Sequence, residues 1–235
     1  MIRLLAIPAM GALAFLASPG LLGAVPAGAG PTVRVAITPA PLALRPTVRV
    51  PIGIDRLALS GGAHPAPPFV LIANAIERNR ATQCLAEAVY YEAGFEPEIG
   101  KRAVAQVVVN RVRDRQFPAT VCGVVYQGAS GRAAEGKRGC QFSFACDGSL
   151  DRRPPRDTEW TSAWQVAADA LSGYVVGELG AATHYHAHYV RPGWARTLTE
   201  VAGIGGHQFY RWPGPRGLPD ALQDRYRGGE PAPIS

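Results

Sequence analysis

Three stretches of this chain carry residues whose types and spacing suit chemistry. The first is "CLAEAVYYEAGFEPEIG", Cys84 to Gly100. Read as a helix, Leu85, Val89 and Glu92 are spaced by four and then three, so at about 100° per residue they share one stripe. An acid on a stripe made for burial has its charged form disfavoured, which raises its pKa. A carboxyl still protonated near neutral pH is a general acid. The competing reading is a glutamate that ends its helix at the surface or pairs with a cation. Among the neighbouring acids, Glu87 falls on the opposite side of the helix from Leu85 and is expected to be solvated. Glu96 and Glu98 are expected to serve as acids at the start of the next helix. Asp147, in "CDG", reads as a turn residue.

The second stretch is "THYHAHY". His184, His186 and His188 alternate, so on a strand they project to one face. Three imidazoles on one face can hold zinc with an open position, as in metal-dependent hydrolases. The same alternation is also what a half-buried strand shows. His207, in "GGHQFY", reads as a packing or cleft-edge residue. The third group is dispersed. Gln106 and Asn110 lie four apart on one helix face, able to bind a ligand or to brace two elements. "QFSF" and "YHAHYV" offer Phe142, Ser143, Tyr185 and Tyr189 to a groove.

The elements that must position these residues follow from pattern and punctuation. A first helix is expected over about Thr82–Ala93, with Gly94 as its stop. A second begins near Pro97, and a third runs from Asp157 or Thr158 to Gly173. Between the second and third lies a long loop region, Phe117 to Arg156, with three of the four cysteines. The stretch from Ala182 to Trp212 alternates aromatic and β-branched residues between turns and predicts a small strand pair with a connecting segment. The class is α+β, helix-dominated, with a small β element.

The chain has 235 residues, of which 47% are hydrophobic, enough for a real core. Residues 1–29 read as a secretory signal peptide: Arg3, then an apolar stretch, then the small-x-small run Ala27-Gly28-Ala29. No later segment reaches the roughly 18 apolar residues of a membrane span. Residues 30–69 read as a Pro-rich extended linker, 70–213 as the folded unit and 214–235 as a loosely ordered tail. Cys84, Cys122, Cys140 and Cys146 are an even count behind an export signal, so disulfides in an oxidising periplasm or envelope are expected, with three connectivities open. Closely paired C-x2-C zinc ligands are absent from the sequence. The net charge of +6 suits an anionic extended substrate. It would suit nucleic acid too, but no zinc-finger, basic-helix or RNP-type pattern accompanies it.

The blocks "CLAEAVYYEAGFEPEIGKRAVAQVVVNRVRDRQFPATVCGVVYQ", "CQFSFACDG", "ATHYHAHYVRPGWA" and "GIGGHQFYRW" resemble, in that order over about residues 82–213, the SleB-type cell wall hydrolases. The resemblance implies a lysozyme-like fold and peptidoglycan lytic transglycosylase activity. The family's catalytic glutamate, in its Y-x-E-A block, falls on Glu92. Where the family commonly reads E-A-R-G-E-P this chain has "EAGFEP", and Lys101 stands where glutamine is usual. Ordinary glycosidases need a second carboxylate. A lytic transglycosylase does not. Its one glutamate protonates the oxygen between N-acetylmuramic acid and N-acetylglucosamine, then takes the proton from the muramyl 6-hydroxyl as it closes on C1. The product is a 1,6-anhydro sugar, and no cofactor or metal is implied. Because the matching blocks surround the acid, Tyr185 and Ser143 lead the substrate-binding candidates. Peptidoglycan strands are the expected partner, and no protein partner is indicated. Two other readings stand beside this one: a zinc-dependent N-acetylmuramoyl-L-alanine amidase built on His184, His186 and His188, and a wall-binding module without turnover.

Overall fold

Asn74 sets the start of the first helix. Its Oδ1 accepts the Glu77 N–H at 2.9 Å while its Nδ2 donates to Glu77 Oε2 at 3.1 Å, which satisfies one orphan N–H of the first turn. Helix α1 therefore spans Ala75–Ala93, seven residues more at its start than the apolar stripe predicts. The added turns are polar and carry no stripe to read. The computed structural model describes residues 64–129 and 139–233. The expected signal peptide and most of the expected linker lie outside the described residues.

Helix α1 is the central element. Helix α2 (Glu98–Arg113), the short α3 (Val121–Val125) and α5 (Asp157–Ala170) pack around it, while α4 (Ser149–Arg152) sits beside the turn at Ser143–Ala145. Pro97 caps α2 as the sequence suggests. Leu85, Val89, Val108, Val112, Val124 and Val166 lie in the resulting core. A smaller cluster, Ala103, Val107, Val176, Leu179, Ala182 and Phe209, joins α2 to a sheet. That sheet has three antiparallel strands, β1 (His184–Ala187), β2 (Thr199–Ile204) and β3 (His207–Arg211), in the order β1-β3-β2. The predicted strand pair thus gains a third member, and the class is α+β as expected. Tyr185 pairs in register with Phe209 and packs against both clusters.

Two expected boundaries move. Ala66 and Phe69 are buried, and Arg113 Nη1 donates to Pro67 O at 2.7 Å, so packing begins before residue 70. The tail after Pro213 is laid along the domain. Tyr226 and Glu230 are buried, and Glu230 accepts the Val121 and Cys122 N–H groups at 2.7 and 3.0 Å. These contacts bridge more than a hundred residues of sequence, so no local pattern announces them. The four cysteines form Cys84–Cys122 and Cys140–Cys146. Among the described residues no helix is long and apolar enough to cross a membrane.

Candidate active site

Glu92 stands in the last turn of α1, below the fully buried Leu85 and Val89, as the stripe predicts. Its own side chain is half-buried. The Tyr185 hydroxyl, from β1, donates to Glu92 Oε2 at 3.2 Å. Burial pushes the Glu92 carboxyl above the usual range; the Tyr185 bond and the Arg111 charge pull it back, and Asp147 adds a small push. Burial, reinforced by Glu92, holds the Tyr185 phenol well above 10, so it stays a donor.

Arg111 is a residue that sequence reading missed. It is buried on α2, donates from Nε to Thr183 O at 2.7 Å, and lies over the rings of Phe117 and Phe142 at 5.2 and 5.4 Å. Burial draws its pKa down to about 10, against the pull of Tyr185 and Glu92, and it remains a cation at neutral pH. The signal was available: Arg111 follows Val107 by four and Val108 by three, on the apolar side of the helix.

Two cavities flank this group. One, of about 630 Å³, is lined by Glu92 itself, Tyr91, Phe95, Glu96 and the Arg152–Arg156 segment. The two tyrosines of "VYYEA" hold that segment: Tyr91 donates to Arg153 O at 2.9 Å and Tyr90 Oη accepts the Arg156 N–H at 3.1 Å. The other, of about 390 Å³, is lined by Tyr185, Arg111, Gln141, His184, Trp194 and Trp212. His184 stands edge-on to Trp212 at 4.7 Å and 5.7 Å from Trp194. Burial, with Arg111 and Arg216 adding, lowers the His184 pKa to about 4, so this aromatic wall is neutral at pH 7.

A second carboxyl borders the first cavity, yet it is committed elsewhere. Glu96 Oε1 lies 2.9 Å from His207 Nδ1. The carboxylate rests against Gly205 and Gly206 in the β2–β3 turn, where a Cβ on either glycine would collide with it, and Gly205 has φ +57°. Glu96 is therefore a tie between the α1–α2 connection and the sheet, correcting its expected role at a helix start. Glu98 does occupy that role, 2.6 Å from Arg102 Nε. Glu87 is likewise corrected. It is buried, accepting from the Tyr126 hydroxyl and from Gln83 Nε2, because α3 covers the face of α1 expected to meet water. Asp147 is an exposed turn residue, its Oδ1 accepting the Ser149 N–H at 2.8 Å.

The substrate-binding candidates divide. Tyr185 meets the acid. Gln106 and Asn110 are buried braces. Asn110 Nδ2 donates to Gly180 O and Ala182 O at 2.9 and 2.8 Å, and Gln106 Oε1 accepts the Val176 N–H at 3.2 Å. Phe142 is only 2% exposed, packed with Phe144 beneath Arg111, and cannot reach a groove. Ser143 is exposed at the start of a 3-10 turn and borders neither cavity beside the acid. Tyr189 is 91% exposed in the turn after β1 and borders neither. His184, His186 and His188 share a face but do not converge. His184 Nδ1 lies 2.9 Å from Thr183 Oγ1, and His186 Nδ1 and Nε2 lie 2.9 Å from Ala187 O and Tyr210 Oη. Among the described residues no group of three His, Cys, Asp or Glu is arranged to hold a metal ion.

The two departures from the family pattern also have places. Gly94 closes α1, donating its N–H to Tyr90 O at 3.0 Å, and Phe95 stands 78% exposed on the cavity wall beside Glu92. Lys101 Nζ donates to Ser162 Oγ at 3.0 Å and ties α2 to α5.

Comparison with known proteins agrees with the resemblance. Residues 95–210 match the family model described as Cell Wall Hydrolase. A spore cortex-lytic enzyme of Halalkalibacterium halodurans is 31% identical over 128 residues, 54% of this chain and 33% of that protein. One from Bacillus cereus is 30% identical over 128 residues, 54% of this chain and 42% of that protein. The chain thus spans well under two thirds of the length of these curated relatives. Among solved structures, the catalytic domain of the germination-specific lytic transglycosylase SleB from Bacillus anthracis is 29% identical, covers 60% of this chain and 100% of its own, and gives a TM-score of 0.45. The family match and the relatives coincide with the blocks read from the sequence, and over residues 95–210 the chain is similar to the Cell Wall Hydrolase family.

Proposed function

We propose that this protein cleaves the bond between N-acetylmuramic acid and N-acetylglucosamine in peptidoglycan, by lytic transglycosylation through Glu92. The observation that carries this reading is a half-buried carboxyl with a raised pKa between two cavities, the neighbouring Glu96 being committed to His207. Protonated Glu92 gives its proton to the leaving glycosidic oxygen as the C1–O bond breaks. The resulting carboxylate is held by the Tyr185 O–H and by the Arg111 charge. It then accepts the proton of the muramyl 6-hydroxyl while that oxygen bonds to C1, leaving Glu92 protonated for the next turnover. Trp194 and Phe95 offer flat faces to the sugars on either side. The leader-like residues 1–29 and the paired cysteines support export to the periplasm or cell envelope.

The test is product analysis. Purified peptidoglycan is incubated with the protein, with and without EDTA, and the soluble products are read by mass spectrometry. Anhydromuropeptides that persist in EDTA are the expected result. Reducing-end muropeptides would make the enzyme a hydrolase. Freed stem peptides that vanish in EDTA and return with zinc would revive the amidase, and no release at all would leave a wall-binding module.

A further inference from the structure

A third cavity, of about 420 Å³, lies behind the Gly193–Thr197 turn and takes no part in the mechanism above. Its floor is rigid. His186 is stacked on Tyr210 at 5.3 Å, with Nε2 2.9 Å from the Tyr210 oxygen. Its rim carries Arg191 and Arg196, both exposed, together with Glu200. Opposite charges on one rim normally close on each other. Here neither arginine forms an ion pair with Glu200 or with any other acid among the described residues. Two open guanidiniums and one open carboxylate around a concave polar space match a ligand with carboxylates and an amine.

We infer that this cavity is a subsite for the peptide stem of the substrate, a short acidic peptide with a free amine. This rests on the proposed action on peptidoglycan. Placement supports it. The same five-residue turn separates this cavity from the one beside Tyr185: Trp194 and Thr197 face that side, and Gly193, Ala195 and Arg196 face this one. A helical turn with its side chains is ~10 Å across. A three-residue stem, extended, spans ~10 Å. A stem hanging from a muramic acid beside Trp194 therefore reaches the arginines, which take its carboxylates in forked hydrogen bonds, while Glu200 takes the ammonium.

The full chain is titrated with the tripeptide L-Ala-γ-D-Glu-meso-diaminopimelate, with binding read by calorimetry. Saturable binding is expected, weakened at least ten-fold in the Arg191→Gln/Arg196→Gln variant, whose melting temperature is checked alongside. Glu200→Gln should weaken the free tripeptide but not its amine-acetylated form. In parallel, kcat/KM is compared on glycan strands with stems and on strands stripped of them. Wild type should favour stems at least ten-fold, and the double arginine variant should bring that ratio toward one. Absent binding, binding indifferent to the arginines, or an unchanged ratio overturns the subsite. If wild type cleaves neither strand, the proposed activity is what falls, and the titration still decides the subsite by itself.

Discussion

Replacing Tyr185 by Phe isolates one interaction at the candidate acid. The ring keeps its packing, edge-on to His207 at 4.9 Å and 5.6 Å from Phe209, so only the hydroxyl is lost. That hydroxyl donates to Glu92 Oε2 at 3.2 Å, a long bond for an O–H donor, and it favours the ionised carboxyl. Hydrogen bonds to charged groups contribute ~1.5–3 kcal/mol, and the length places this one near ~1.5 kcal/mol. Since 1.36 kcal/mol corresponds to about one pH unit, the Glu92 titration should move up by about that much. The protonated acid is the active form in the first step, so kcat/KM of wild type declines above the Glu92 pKa. In Tyr185→Phe that alkaline limb should shift upward by about one unit, with anhydromuropeptide release measured across the pH range on soluble glycan strands. The plateau rate should fall as well, because the carboxylate formed in the first step loses a donor. An alkaline limb that stays in place, or moves down, would show that the hydroxyl does not act on the titrating acid.

Asn110→Ala strips two buried carbonyls, Gly180 O and Ala182 O, of their donor. It should cost ~2–5 kcal/mol by denaturant unfolding; a raised KM at unchanged stability would instead mark Asn110 as a sugar ligand. Glu230→Ala leaves the Val121 and Cys122 N–H groups without their acceptor and should cost at least ~2 kcal/mol. An unchanged melting temperature would mean the tail is dispensable. The Cys84–Cys122 bond closes a 38-residue separation, for which the loss of unfolded-chain entropy gives ~4 kcal/mol. The Cys84→Ser/Cys122→Ser variant should lose stability on that scale in urea melts, and a loss under ~1 kcal/mol would contradict it.

Local signals carried what was legible. The four-and-three spacing of Leu85, Val89 and Glu92 put the acid on the buried side of α1, and alternation in "THYHAHY" put Tyr185 and the histidines on opposite faces of one strand. Pro97 marked a helix edge for conformational reasons alone, while α5 ends at Ala170, three residues before the expected stop at Gly173, which takes φ +103° in the turn beyond. What escaped was set by distant partners. Glu87 is buried by Tyr126, 39 residues away, and Glu96 is held by His207, 111 residues away. Gln106 and Asn110 had the right shape for sugar amides, but the carbonyls and N–H groups they meet lie about 70 residues on. "QFSF" offered both Phe142 and Ser143 to a groove, but its side chains alternate: Phe142 and Phe144 turn into the core, and Gln141 and Ser143 turn out. Asn74-x-x-Glu77 is a readable helix start, but the turns that follow it are polar and carry no apolar stripe.

Glu92 is the single proton-transferring group of the proposed mechanism, and Glu92→Gln tests that role most directly. Glutamine keeps the size and the hydrogen-bonding capacity but has no transferable proton. One positioned acid–base group supplies ~10²–10⁴-fold, so anhydromuropeptide release should fall by at least about 100-fold. Stability gives a second reading from the same protein. The folded-state pKa of Glu92 is raised by burial, so above its unfolded pKa this acid subtracts from the stability of the fold. Glutamine avoids that cost, so the variant should melt at an equal or higher temperature at pH 7. The difference should close as the pH falls toward 4.5, where the wild-type acid is protonated. An inactive protein with an undiminished melting temperature is the predicted pair. Release of anhydromuropeptides by Glu92→Gln at near wild-type rate would place the acid elsewhere and contradict the mechanism.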